Sequence, residues 1–299
     1  MSSLLEAKNI SKTLGEKKIF NEFSMNVKKN EILGVVGHNG AGKTTLFKLI
    51  LEMYFPDKGT ISINEEKFDL KDDVGYLPEQ RGLYNRTDIY SQLLAFGYLK
   101  GRKKKELIET IDFWLEYFKI HNLRKELLGN LSKGNQQKVQ FIVSVLNKPK
   151  LLILDEPFSG LDPINVDLFI SAIKTVRDNG TTIIYSSHKM DSIEHLSDRL
   201  LFIKKGELIH FDTINNIQAR YNSVLKIENP SINSELLESL NLKFDIKDTL
   251  YEIELNTEGD ENVLLDRIDS SLTKTFIIEK PTVEKIFKSI NQEEEIDDK

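Results

Sequence analysis

The feature that most constrains this chain is a glycine-rich turn set between an apolar strand and a helix. Gly37-His38-Asn39-Gly40-Ala41-Gly42-Lys43-Thr44 follows the short apolar run at 31–36, and residues 44–53 read as a helix. The glycines let consecutive backbone N–H groups turn inward on phosphate oxygens. The positive end of the helix adds to the same field. Lys43 places a point charge on a β/γ-phosphate, the Thr44 hydroxyl suits Mg²⁺, and Thr45 belongs to the same phosphate-contacting run.

A second constellation completes the first. Residues 151–154 form a wholly apolar strand that ends in Asp155 and Glu156. Asp155 can support Mg²⁺ directly or through water, and Glu156, where the chain leaves the sheet, can polarise an attacking water. Alone, an apolar strand ending in two acids is often only a strand meeting solvent. Downstream of a phosphate loop the pair has a chemical use.

Strand-like alternation at 4–10 and 23–27, the run at 31–36, and short strands at 60–63 and Val74–Leu77 fill the first part of the chain. From residue 89 to about 147 the period becomes helical, notably at Ile89–Leu99 and 104–119. Strands at 151–154, 181–185 and 200–203 then alternate with helices at 164–178 and Met190–Leu196. That alternation predicts an α/β core with a mostly parallel sheet, an antiparallel β edge at the N-terminus and an α-helical insert. Hydrophobic alternation restarts after Tyr221. Strand 224–227, helix 233–240, strands 243–246 and 251–255, helix 261–270 and strand 274–278 suggest a small α+β ferredoxin-like module. The expected division is 1–221 with a helical subdomain at about 80–148, then 222–290, then a disordered acidic tail at 291–299.

The 299 residues contain no cysteine, which excludes disulfides, thiolate zinc sites and cysteine nucleophiles. At a net charge of −6 the surface as a whole repels nucleic acid, and no nucleic-acid partner is expected. Residues 1–10 lack the basic-then-apolar pattern of a signal peptide. No apolar run approaches the roughly 20 residues of a spanning helix, so a soluble protein is expected. Arg102-Lys103-Lys104-Lys105 reads as a solvated loop opening a charged helix. The aromatics of 90–118 read mainly as core of the insert.

Leu131-Ser132-Lys133-Gly134-Asn135-Gln136-Gln137 resembles the signature sequence LSGGQ, Ser159-Gly160-Leu161-Asp162-Pro163 resembles a D-loop, and His188 stands where a switch histidine would. In this order and spacing, over about residues 4–215, the motifs resemble the ABC transporter ATPase family. The resemblance implies a P-loop NTPase fold of ABC type, ATP and Mg²⁺ as ligands, and ATP hydrolysis on the cytoplasmic face of the cell membrane. It also implies an integral-membrane permease and a second ATPase subunit, identical or not, as partners. In such a head-to-tail pair, Ser132 and Gly134 of one subunit face the γ-phosphate held by the other, Asp162 of the D-loop counts among the nucleotide-binding residues, and His188 bonds the γ-phosphate. His38, His121, His195 and His210 keep ordinary readings.

Some positions depart from the family. The base-stacking aromatic is replaced by Leu14 before Gly15, with Phe20 as the rival cover for the base. After Leu77-Pro78 the magnesium-sensing position is Glu79 by register, with Gln80 as rival. Lys133 and Asn135 replace a glycine and a glutamine, while Ser132 and Gly134 survive. The segment 75–84 and the ending Pro281-Thr282-Val283-Glu284-Lys285-Ile286-Phe287 resemble a subgroup linked to bacterial export of sodium, drugs or peptides. Two rivals remain. A soluble ABC ATPase of ribosome or nucleic acid typically has two cassettes or a long coiled-coil insert. A non-hydrolysing sensor would not need Lys43, Asp155, Glu156 and His188 together.

Overall fold

The structure, a computed structural model, describes residues 2–80, 82–256 and 259–292. The chain divides into two compact units, 1–213 and 214–299.

The first unit opens on a long hairpin of β1 (Ser3–Leu14) and β2 (Lys17–Lys28), longer than the alternation alone marks out. β3 (Ile32–Val36) leads through the glycine turn into α1 (Lys43–Ile50), and β4 (Lys58–Ile63) returns to pair with β1. A short α2 (Leu70–Asp73) precedes β5 (Val74–Leu77). The insert consists of α3 (Ile89–Leu99), α4 (Lys104–Tyr117) and α5 (Lys133–Val145). Then come β6 (Leu151–Asp155), α6 (Pro163–Asp178), β7 (Thr182–Ser186), α7 (Met190–Leu196), β8 (Arg199–Lys204) and β9 (Glu207–Thr213).

The main sheet runs β5-β6-β7-β3-β8-β9, parallel except for the antiparallel edge strand β9. Every residue of β3, β6 and β7 is buried, as expected of parallel strands covered on both faces. The β2-β1-β4 sheet, α1 and the main sheet share one apolar cluster that includes Leu5, Phe23, Phe47, Val35 and Leu201. An aromatic cluster fastens the insert to the core: Phe141 of α5 lies 5.6 Å from Trp114 of α4 and 5.4 Å from Phe169 of α6. Trp114 and Phe118 are therefore core, whereas Tyr98 and Phe113 are exposed.

The second unit contains α8 (Ile214–Gln218), β10 (Val224–Glu228), α9 (Ser234–Ser239), β11 (Phe244–Lys247), β12 (Leu250–Glu254), α10 (Asp260–Leu265), β13 (Thr275–Glu279) and α11 (Val283–Gln292). Its sheet order is β11-β12-β10-β13, antiparallel throughout, with α9 and α10 as crossovers. Glu252 sits buried on β12 between Lys285 at 2.7 Å and Lys247 at 2.9 Å. Burial pushes its carboxyl up, but the two ammonium groups outweigh that and hold it at about 2. The division falls upstream of the expected 221/222 boundary because α8 belongs to this unit: Gln218 Nε2 donates to the Pro281 carbonyl at 3.0 Å. The acidic tail expected from 291 lies outside the described residues from 293 on, and Asn291 belongs to α11.

A fragment 1–213, holding its own core, is expected to be soluble and to melt cooperatively. Thermal unfolding followed by circular dichroism checks this; an insoluble fragment, or one without a transition, contradicts it.

Candidate nucleotide-binding site

The parallel register delivers three loops to one rim. Val35 of β3 and Asp155 of β6 both lie opposite Ser186 of β7, so the segments that follow these strands leave the sheet side by side. Leu77 of β5 pairs with Leu154, which brings Pro78 and Glu79 to the same edge.

The glycine turn adopts the geometry that the sequence implies. Gly42 has φ 114°, and a Cβ there would come within 2.9 Å of Phe20 Cζ, so only glycine fits. It precedes α1, and no side chain caps that helix, which leaves its N-terminal N–H groups directed toward a ligand. Lys43 is 8% exposed and donates to the carbonyls of Gly37 at 2.6 Å and His38 at 3.2 Å. Burial lowers its pKa, and the carboxylates of Glu156 and Asp155 oppose that shift.

Asp155 is buried and accepts from Thr44 Oγ1 at 2.8 Å and Ser186 Oγ at 2.7 Å. The same Ser186 oxygen accepts from the Glu156 amide at 3.1 Å. Glu156 holds φ 52°, the left-handed region, which costs a non-glycine residue on the order of 1–3 kcal/mol. Its Oε2 accepts from the His188 amide at 3.2 Å, and its Oε1 lies 3.2 Å from His188 Nε2 without a hydrogen bond between them. Burial pushes the Glu156 carboxyl up to about 7, against the His188 amide and Lys43. Burial, and then Lys43, lower the pKa of His188. Burial thus disfavours the charged form of both groups.

These side chains line a cleft of about 400 Å³. Asn39, Gly40, Gly42, Lys43, Thr44, Thr45, Glu79, Asp155, Glu156 and His188 are on its wall, joined by Lys17 and Ile19. Gly37 and His38 contribute carbonyls to Lys43, and Ala41 is buried beneath the turn. Gln80 is not on the wall, and neither is Leu14, which stands exposed at the hairpin tip. Phe20 is packed in the core. The apolar residue that does reach the cleft is Ile19. Lys12 pairs with Phe20 and Thr13 with Lys18, so Ile19 is the extra residue of a β-bulge that re-aims its side chain. Ser132, Gly134 and Asp162 also lie off the cleft. Ser132 caps α5 by accepting from the Asn135 amide at 3.3 Å, and Asp162 caps α6 by accepting from the Asn165 amide at 3.0 Å. The remaining histidines have local settings. His38 contacts the Asn39 carbonyl, His121 lies among Asp112, Glu116 and Arg124, His195 is exposed on α7, and His210 meets the Phe202 ring.

Among the described residues no cluster of three or more His, Asp or Glu side chains could hold a metal. Thr44 and Asp155 present hydroxyl and carboxylate oxygens to each other at 2.8 Å, a hard donor pair suited to Mg²⁺ that takes its other ligands from phosphate and water.

A phosphate loop at the end of a parallel strand, a buried strand ending in two acids and a histidine beside them define a P-loop nucleoside triphosphatase. The family model for ABC transporters matches residues 20–159. An ABC transporter ATP-binding protein of Methanocaldococcus jannaschii is 44% identical over 217 residues, covering 73% of this chain and 80% of that protein. The bacitracin transport ATP-binding protein BcrA of Enterococcus faecalis is 32% identical, covering 80% of this chain and 79% of its own. A solved ATP-binding subunit of an ABC transporter superposes with a TM-score of 0.67 at 27% identity, covering 73% of this chain and 92% of that one. The chain belongs to the ABC transporter ATP-binding family: it is an ATP-binding, ATP-hydrolysing subunit that uses Mg²⁺.

The raised Glu156 pKa has a consequence for stability. The folded protein keeps a proton that the unfolded chain releases between the ordinary 4.5 and about 7, so folding stability from this group is present at acid pH and declines across that window. Glu156→Gln removes the penalty. The variant is expected to melt a few degrees above the parent at pH 8, at about 2–4 °C per kcal/mol for a chain of this size, with the difference shrinking toward pH 5. Paired melting curves at the two pH values measure it; an equal difference at both contradicts the assignment.

Proposed function

We propose that this subunit works as one half of a head-to-tail pair on the cytoplasmic face of a cell membrane, where ATP hydrolysis drives a separate integral-membrane permease in the direction of export. The observation that carries the hydrolytic part is the convergence of Lys43, Asp155, Glu156 and His188 on one cleft. Lys43 leaves the loop carbonyls for the β/γ-phosphates. Thr44, Asp155 and Glu79 serve Mg²⁺, which neutralises phosphate charge when bound. Glu156 accepts a proton from the attacking water, and His188 steadies the γ-phosphate.

The pairing is supported by what the cleft lacks. Ser132 and Gly134 sit at the start of α5 and Asp162 at the start of α6, where Ser132 and Asp162 are exposed and all three stand apart from their own chain's phosphate loop. A second copy, turned head to tail, would bring the N-terminus of α5 to the open side of the cleft. Among the described residues no helix is long and apolar enough to cross a membrane, so in this reading the pore comes from another chain. Exposed Tyr84, Tyr98 and Leu99 on and beside the insert offer apolar surface to that partner. Transport is supported by the name of the bacitracin transport relative, and export by the resemblance of the Pro281–Phe287 ending to the export subgroup.

Glu156→Gln is expected to lower turnover at least about 100-fold while ATP binding persists, and ATP should then hold the variant as a dimer. Gel filtration with and without ATP decides; monomer only, in both, rejects the pairing. Lys43→Ala in the same assay series should weaken ATP binding itself.

Ile19→Ala tests which residue covers the base. Loss of this apolar wall is expected to weaken ATP and ADP about threefold to tenfold alike, with turnover per bound nucleotide unchanged. Equilibrium titration with both nucleotides measures it, and unaltered affinities would return the role to another residue.

A further inference from the structure

Helix α5 buries two glutamines among apolar neighbours. Gln137 and Gln140 are each 3% exposed, beside the fully buried Val139, Phe141 and Ile142. A buried primary amide is costly unless its hydrogen bonds are made. Gln137 Nε2 donates to the Pro157 carbonyl at 3.1 Å, and Gln140 Nε2 donates to the Pro78 carbonyl at 2.9 Å. Each proline adjoins a carboxylate of the cleft: Pro157 follows Glu156, and Pro78 precedes Glu79.

The second contact has no ready structural account. Gln140 Oε1 is buried and unpaired, so this amide carries an unmet acceptor. A methionine of similar length would fill the space without that cost, so packing alone does not explain a glutamine. What the amide does provide is a fixed point on Pro78. β5 ends at Leu77, and beyond it the chain leaves the sheet ladder that orients it. Proline has no N–H of its own, so its carbonyl is the one backbone group by which Pro78 can be held.

We propose that Gln140 is a positioning residue for Glu79: its hydrogen bond to the Pro78 carbonyl sets the direction in which the chain carries the Glu79 carboxylate into the cleft, toward the metal ion bound with the nucleotide. This rests on the reading of Glu79 as a metal-facing group. The bond also ties the rim beside Glu79 to the helix that Ser132 caps.

Mn²⁺ affinity tests this in the presence of a β,γ-imido analogue of ATP, read by the electron paramagnetic signal of the free ion. Gln140→Met should weaken Mn²⁺ binding about threefold to tenfold, with metal-free nucleotide affinity and melting temperature unchanged or the latter raised. In a Glu79→Ala background the same change should have no further effect. If Glu79→Ala weakens Mn²⁺ binding and Gln140→Met does not, the inference is overturned. It is overturned equally if Gln140→Met costs as much without Glu79 as with it, since the residue then acts on the fold and not through that carboxylate. If Glu79→Ala leaves Mn²⁺ affinity untouched, the metal-facing reading of Glu79 falls first and the inference with it. Should the methionine variant fold poorly, Gln140→Leu enters the same cycle.

Discussion

A carboxylate buried at the end of a buried strand has to be satisfied from within the protein, because water cannot do it. Asp155 meets this demand with two hydroxyls, Thr44 from the first turn of α1 and Ser186 from the end of β7. The two bonds tie the phosphate loop, β6 and β7 to one atom group. They require the parallel register to be what it is, since a slip of one residue would turn Asp155 or Ser186 away from the rim. Ser186 then passes the constraint on by accepting the Glu156 amide, which holds that residue in its strained left-handed turn. The position of the proposed base is thus inherited from a structural hydrogen bond one residue upstream.

Burial acts on the cleft in one consistent sense. It lowers the pKa of Lys43 and His188 and raises that of Glu156, so each group is disfavoured in its charged form. The folded-back Lys43, bonded to two carbonyls of its own loop, has the same origin: a buried ammonium takes whatever acceptors are near. A triphosphate would offer it stronger acceptors and a compensating charge. Binding energy and a change in protonation preference are therefore coupled in this site, through groups only a few ångströms apart.

Much of this was legible in the chain itself, and the reasons are local. The phosphate loop, Asp155-Glu156 and His188 follow apolar strands whose length and composition fix where they end, so spacing alone places them at the rim. The βαββαβ order after Tyr221 could likewise be read from alternation, but α8 could not be assigned to that unit, because Gln218 meets Pro281 across a long stretch of sequence. Strand β9 has no signal in the sequence, because an edge strand with half-buried positions shows no apolar run. The expectation puts Leu14, before Gly15, at the base with Phe20 as its rival, and Ile19 has no signal in an unbroken hairpin ladder. The register shift between Lys12 and Thr13 breaks it, and a bulge leaves no mark in composition. Ser186 had a signal of a kind, a hydroxyl two residues before the switch histidine, yet its use is defined only by what lies on the neighbouring strand.

The buried amides of α5 show why a helix in the middle of the chain can matter to a site made from strand ends. Ser132 caps it, and five and eight residues further on its amides reach the prolines beside Glu156 and Glu79. A close-packed interior has low compressibility and transmits strain. The segment around Ser132 and the two acidic loops are thus joined through one helix by two hydrogen bonds of ordinary length. Phe141, next to Gln140, packs the same helix against Trp114 and Phe169. The proline carbonyls beside Glu156 and Glu79 are therefore where α5 meets the cleft, and a site built from strand ends is held in part by a helix of the insert.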